Sequence, residues 1–93
     1  MNIKNIEWVY IGKDKNIILT LKQLGIVKTV ETLESEIYDV KNEISYTMVM
    51  FGKTIYKITL TNNDIIYVKE INRESWTEYF IDKESYEKLF KKV

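Results

Sequence analysis

The sequence predicts an α+β fold: an antiparallel β-meander of four to five strands, with a long amphipathic helix before it and a C-terminal helix after it. Three observations predict it. Apolar residues follow a helical spacing up to Ile44 and a spacing of two beyond it. Short segments containing Gly or Asn punctuate the second half at hairpin intervals. Asp82 then opens a closing stretch with a helical stripe of its own. The whole chain, 1–93, is read as a single domain.

Ile6 to Gly12 is rich in aromatic and β-branched residues and ends in a polar turn at 13–16, which predicts a first strand joining the sheet at an edge. Residues 17–25 read as one or two helical turns, with Thr20 to Gln23 in capping-box form and Gly25 where the helix stops, although Ile17-Ile18-Leu19 reads equally as strand. Ile26, Val30, Leu33, Ile37, Val40 and Ile44 are spaced 4, 3, 4, 3 and 4 apart, which predicts a helix over 27–43 despite its Thr and Val content. Four strands follow, at 44–51, 54–61, 65–71 and 76–81. They are separated by Gly52-Lys53, Asn62-Asn63 and the loop 72–75. Asp82 reads as the N-cap of a helix whose apolar stripe is Tyr86, Leu89, Phe90 and Val93.

A two-residue loop at Asn62-Asn63 would set Leu60 opposite Ile65, Ile58 opposite Tyr67 and Tyr56 opposite Lys69. A loop at 72–75 would set Lys69 opposite Glu78 and Tyr67 opposite Phe80. One face then carries Val49, Phe51, Tyr56, Ile58, Leu60, Ile65, Tyr67, Ile71, Trp76 and Phe80, and reads as the core. The other carries Ile44, Tyr46, Met48, Met50, Ile55, Ile66, Val68, Tyr79 and Ile81, too apolar for a solvated face. Either a helix covers each side or part of the second face is a docking surface.

Composition bounds the function. The chain has no cysteine and no histidine, which removes thiolate chemistry, zinc ribbons and the commonest general base. No Gly-rich phosphate loop, Gly-x-Ser-x-Gly or Asp-x-Asp spacing is present. Glu70, Glu74 and Glu78 gather near one hairpin end, but Glu78 has Lys69 as a partner and Glu74 lies in a loop, so surface ion pairing is their expected role. The expectation is a protein that is not an enzyme and needs no cofactor or metal. Fourteen basic residues balance fourteen acidic ones and Arg73 is the single arginine, so direct nucleic-acid binding is not expected. No apolar run approaches a membrane span and no signal peptide opens the chain, so the expected location is the cytoplasm. Residues 24–30 resemble the Gly-Val-Ser-x-x-Thr-Val core of helix-turn-helix regulators. The spacing is one residue short, and Glu31, Glu34 and Glu36 would face phosphates.

Two partner surfaces remain. Glu36, Asp39 and Glu43 share one stripe of the expected long helix and form an acidic patch that would meet a basic nucleic-acid-binding groove on a host protein. Tyr46, Met48, Met50 and Ile55 would instead form a hydrophobic docking site or a homo-oligomer seam. Ile, Lys and Asn make up about a third of the chain, a bias of A/T-rich genes. The chain is similar in size and composition, though in no motif, to anti-CRISPR proteins. That similarity implies a small protein-binding inhibitor, encoded by a phage or mobile element and acting against a host defence machine. The alternative is an oligomeric protein that sequesters a small ligand or nucleotide, or a structural subunit.

Overall fold

A computed structural model describes residues 3–41, 48–73 and 75–90, with side chains left aside at 38–41 and 48–50. After a single 3-10 turn at Ile3–Asn5, the elements are β1 (Trp8–Lys13), α1 (Ile17–Gln23), β2 (Val27–Lys41), β3 (Met48–Leu60), β4 (Ile65–Asn72), β5 (Thr77–Asp82) and α2 (Lys83–Leu89). The strands form one antiparallel sheet in the order β1-β5-β4-β3-β2. The fold is therefore α+β, with the first strand at an edge as the sequence predicts. Among the described residues no helix is long and apolar enough to cross a membrane.

The long helix expected over 27–43 does not form. Val27–Lys41 make β2, the outermost strand, and the helix before the sheet is the seven-residue α1. β-branched and aromatic residues at Val27, Thr29, Val30, Thr32, Ile37, Tyr38 and Val40 favour a strand, and a long partner strand is available to pair with them. The partner is β3, which runs without a break through Gly52-Lys53, so the hairpin expected there is absent too. Gly52 lies in the ladder opposite Ile37 and Asn72, and the positive-φ glycines among the described residues are Gly12 and Gly25. A primed turn needs φ > 0, so Gly52 cannot make one as it stands. The expected strand 44–51 is in part the start of β3, and 42–47 lie outside the described residues.

The β3–β4 register differs by one residue from the expected one. Ile58 faces Ile66 and Lys57 faces Tyr67, because the loop has three residues, 61–63, rather than two. Leu60 N–H donates to the Asp64 carbonyl at 2.8 Å, Asn63 N–H to the Leu60 carbonyl at 2.9 Å, and Asn63 takes φ 70. Asparagine tolerates this left-handed position, and a turn followed by one such residue is the three-residue hairpin. The single step exchanges the faces of one strand relative to the other. At the β4–β5 hairpin the shift is two residues, so faces are kept, but Lys69 lies opposite Phe80 rather than Glu78.

The core accordingly combines residues from both expected faces: Ile58 and Leu60 with Ile66, Val68, Tyr79 and Ile81. Ile17 and Leu21 of α1 close over them, and Tyr86 of α2 packs against the same cluster. Both helices therefore cover one face of the sheet. Burying each of these aliphatic side chains contributes about 1.5–3 kcal/mol. Of the expected α2 stripe, Leu89 and Phe90 are exposed and Val93 lies outside the described residues.

Local signals fix both helices. Asn16, not Thr20, caps α1: its Oδ1 accepts from Leu19 N–H at 3.1 Å, while the Thr20 hydroxyl donates to the Asn16 carbonyl. Gly25 ends the helix at φ +73. Its N–H donates to the Lys22 carbonyl and the Ile26 N–H to that of Leu21, the paired bonds of a Schellman stop. Asp82 caps α2 as the sequence predicts, accepting from Ser85 N–H at 3.1 Å.

β3 pairs with β4 only from Gly52 to Thr59, whereas its pairing with β2 continues outward to Lys41 opposite Met48. The end of the β2–β3 hairpin is thus a two-stranded arm beyond the sheet. It draws the molecule out to 50 × 24 × 24 Å, with a radius of gyration of 15.0 Å against the ~12 Å of a compact chain this long.

Candidate functional site

With both helices on one side, no helix among the described residues covers the opposite face of the sheet. Its register positions are Trp8 and Tyr10 on β1, Glu78 and Phe80 on β5, Tyr67, Lys69 and Ile71 on β4, Phe51, Lys53, Ile55 and Lys57 on β3, and Glu31, Glu34 and Glu36 on β2. The four cation–aromatic contacts found among the described residues all lie there. The Lys69 ammonium stands 4.5 Å from the Phe80 ring centre and 5.2 Å from that of Trp8, Lys13 stands 4.7 Å from Trp76, and Arg73 stands 5.9 Å from Phe51. Tyr10, 52% exposed, tilts against Phe80 with ring centres 5.3 Å apart. Burial first, and the nearby Lys53 ammonium second, hold the Lys69 pKa below the usual lysine value. Contacts of this kind contribute about 0.5–1 kcal/mol each at exposed sites, enough to hold long side chains flat over the sheet.

Charge is sorted across this face. A bulge at Leu33, between the Thr32–Tyr56 and Glu34–Ile55 pairs, adds one residue to β2. Glu31 and Glu34, three apart in sequence, therefore fall on the same face as Glu36. Their neighbours on β3 are lysines: Glu31 faces Lys57, and Lys53 bridges Glu34 at 4.0 Å and Glu36 at 3.7 Å. The face thus runs from an acidic outer column, through lysines, to aromatic rings at the β5–β1 edge.

The expected site residues are placed differently. Glu36 lies on β2 opposite Lys53, and Asp39 lies opposite Met50, an odd number of steps from Glu36 on a strand. Glu36 and Asp39 thus sit on opposite faces of a strand rather than on one helical stripe, and Glu43 is outside the described residues. In the hydrophobic set, Tyr46 is outside the described residues. Met48 and Met50 pair with Lys41 and Asp39 in the arm, while Ile55 is buried in mid-sheet opposite Glu34 and Lys69. The residues missed are Trp8, Tyr10, Lys69 and Phe80: the β4–β5 parity puts Lys69 and Phe80 on one face, but Trp8 and Tyr10 join them only through the pairing of β1 with β5, which no local signal specifies.

Of the clustered carboxylates, Glu78 stands on the open face, where Arg73 approaches at 3.2 Å and the Trp76 indole N–H donates at 3.3 Å. Glu70 is on the helix side, in register with Thr54 and Tyr79, and Glu74 is outside the described residues. Glu70 and Glu78 are therefore on opposite faces and form no acid–base pair. Burial first, and the Glu70 carboxylate second, push the Tyr79 pKa up to about 12. The same two causes raise that of Tyr56. A phenol whose folded pKa lies above its unfolded value of ~10 gives stability that is full below pH 10 and is lost as pH rises towards 12. Melting temperature should therefore fall between pH 10 and 12, and Tyr79→Phe should make that fall shallower; parallel slopes would contradict the assignment.

Comparison of the chain with protein-family models, with curated proteins and with solved structures finds no match. The site's own geometry carries the functional reading.

Proposed function

We propose that the chain is a small non-enzymatic protein-binding inhibitor that docks through the uncovered sheet face and acts on a host machine in the anti-CRISPR-like manner. The observation that supports this reading is the placement of both helices on one side of the sheet, which leaves Trp8, Tyr10 and Phe80 with Lys13 and Lys69 on the other. Tryptophan and tyrosine are the residues that most often dominate binding energy at protein interfaces, and a rim of ordered charges sets orientation and approach rate.

The test is expression in a bacterium carrying an active CRISPR nuclease, with plaque formation by a targeted phage as the readout. The wild-type protein should restore plaques and form a complex of defined mass with the nuclease. The double variant Tyr10→Glu, Lys13→Glu, both at exposed positions, should lose both effects at equal expression and similar melting temperature. Unchanged interference against a panel of nuclease types would overturn the inhibitor reading. A melting-temperature rise with nucleotides would move the assignment to small-ligand sequestration, with the groove between Tyr10, Ile11, Ile17, Tyr86 and Phe90 as the place to look.

A further inference from the structure

We infer that the outer edge of β2 is a strand-docking site, and that its occupant is an extended segment of a partner protein alternating lysine or arginine with aliphatic residues. The inference rests on the protein-binding reading above but uses a different surface.

The hydrogen-bond pattern shows which groups on β2 are open. Thr61 N–H donates to the Ile26 carbonyl at 2.8 Å, and Leu60 N–H donates across to Asp64 on the other side. Antiparallel ladders alternate, so Thr59, Lys57, Ile55 and Lys53 bond towards β2, and Ile58, Tyr56 and Thr54 towards β4. On β2 the partners of the first set, Thr29, Glu31, Glu34 and Glu36, spend their backbone groups on β3. The residues between them, Val30, Ser35 and Ile37, turn N–H and C=O outward, where no strand follows among the described residues. From Glu34 to Lys41 the register continues without a bulge, an edge of about 26 Å at 3.3 Å per residue. Edges of that length are ordinarily blunted by bulges, prolines or lysines. The bulges of β2 lie before Glu34, and the chain has no proline.

Side chains along this edge define the occupant. On the open face it would run beside Glu34 and Glu36, two carboxylates that share Lys53 on their inner side and so keep an excess negative charge over it; on the helix side it would run beside Ser35 and Ile37, and Ile37 is 69% exposed. The strand as a whole carries four acidic residues, Glu31, Glu34, Glu36 and Asp39, against Lys28 and Lys41. Opposite charges beside one another across a ladder are favourable and like charges are not. The complement is thus a strand with one cationic and one aliphatic face. Backbone pairing would supply the affinity and the alternating side chains the selectivity.

A blocked ten-residue peptide alternating lysine and valine, with a glutamate–valine peptide as control, would be titrated into the isotope-labelled full chain. The lysine peptide should shift the amide signals of Val30, Ser35 and Ile37, and added salt should weaken it several-fold. Ile37→Pro removes an outward N–H and no ladder bond, so it should weaken binding at least tenfold while melting stays within a few degrees. Glu34→Lys with Glu36→Lys, which leaves the backbone untouched, should reverse the preference to the glutamate peptide. Equal binding by the two peptides, or by Ile37→Pro and wild type, would overturn the inference. A fall from dimer to monomer on Ile37→Pro would also overturn it, by assigning the edge to a second copy of this chain. If no peptide binds while Tyr10→Glu, Lys13→Glu still abolishes nuclease inhibition, the strand site fails and the open-face reading stands.

Discussion

Ile66→Ala is expected to cost about 3 kcal/mol of folding stability, whereas Ile65→Ala, one residue earlier on the same strand, should cost under about 0.5 kcal/mol. Ile66 is 2% exposed and packs with Ile58, Val68 and Ile81 beneath α1; Ile65 is 45% exposed on the far side. Removing three carbons from a close-packed site forfeits their burial and leaves a cavity that rigid neighbours on β3 and β5 cannot fill. Removing them from a half-wet position forfeits little. Urea denaturation of the two variants measures the contrast directly, because an unchanged slope would assign any midpoint shift to stability. The pair also decides the register: a two-residue loop at Asn62-Asn63 would reverse the order of the two costs.

That reversal shows where the sequence is readable and where it is not. β4, β5 and α2 follow from period, capping residues and turn composition, because each is specified within about ten residues; for α1 only the stop at Gly25 does, since Ile17-Ile18-Leu19 suits helix or strand and the cap is Asn16. Gly25 and Asp82 are examples: a left-handed stop and a carboxylate cap act locally, whatever the sheet does. The β3–β4 register depends instead on whether Asn63 belongs to the turn or to the strand. Both are chemically acceptable for asparagine, so composition alone does not choose.

The failure at β2 has a different cause. A bulge adds one residue to a strand, so positions that share a face become separated by odd numbers. Val30 and Ile37, seven apart, lie on one face opposite Ile58 and Gly52, and Glu31 and Glu34, three apart, lie on the other. Three and seven are helical spacings, and a bulged strand imitates them. The imitation is complete because β2 is an edge strand whose helix-side residues Val30 and Ile37 are exposed, with no helix of the described residues over them, so nothing requires strict alternation. A cue was present in the charges: the glutamates of 31–36 have lysine partners at 53 and 57 that only a long hairpin brings opposite them. The misplaced element carried the acidic site with it. The open aromatic face needs two facts that no local signal carries: that β1 pairs with β5, and that both helices share one side.

The start of α2 hangs on one carboxylate, and Asp82→Ala is expected to cost about 3 kcal/mol, lowering the melting temperature by on the order of 15 °C. Asp82 is 9% exposed. One of its oxygens accepts from Tyr67 N–H at 2.9 Å, where the β4–β5 ladder would otherwise end in an unpaired donor; the other accepts from Ser85 N–H at 3.1 Å and starts α2. Loss of an N-cap costs about 1 kcal/mol, and a donor left unsatisfied in a part-buried place about 1–3 kcal/mol more. A graded series separates the two. Asp82→Ser keeps a cap of shorter reach and should recover only the helix contribution, while Asp82→Asn offers one acceptor oxygen for two donors and should fall between serine and wild type. If asparagine matches aspartate, the Tyr67 bond has no weight and the estimate falls to that of a simple cap. If alanine loses the full amount while the serine variant recovers about a third, the carboxylate is the joint that fixes α2 to the covered side and so keeps the opposite face free.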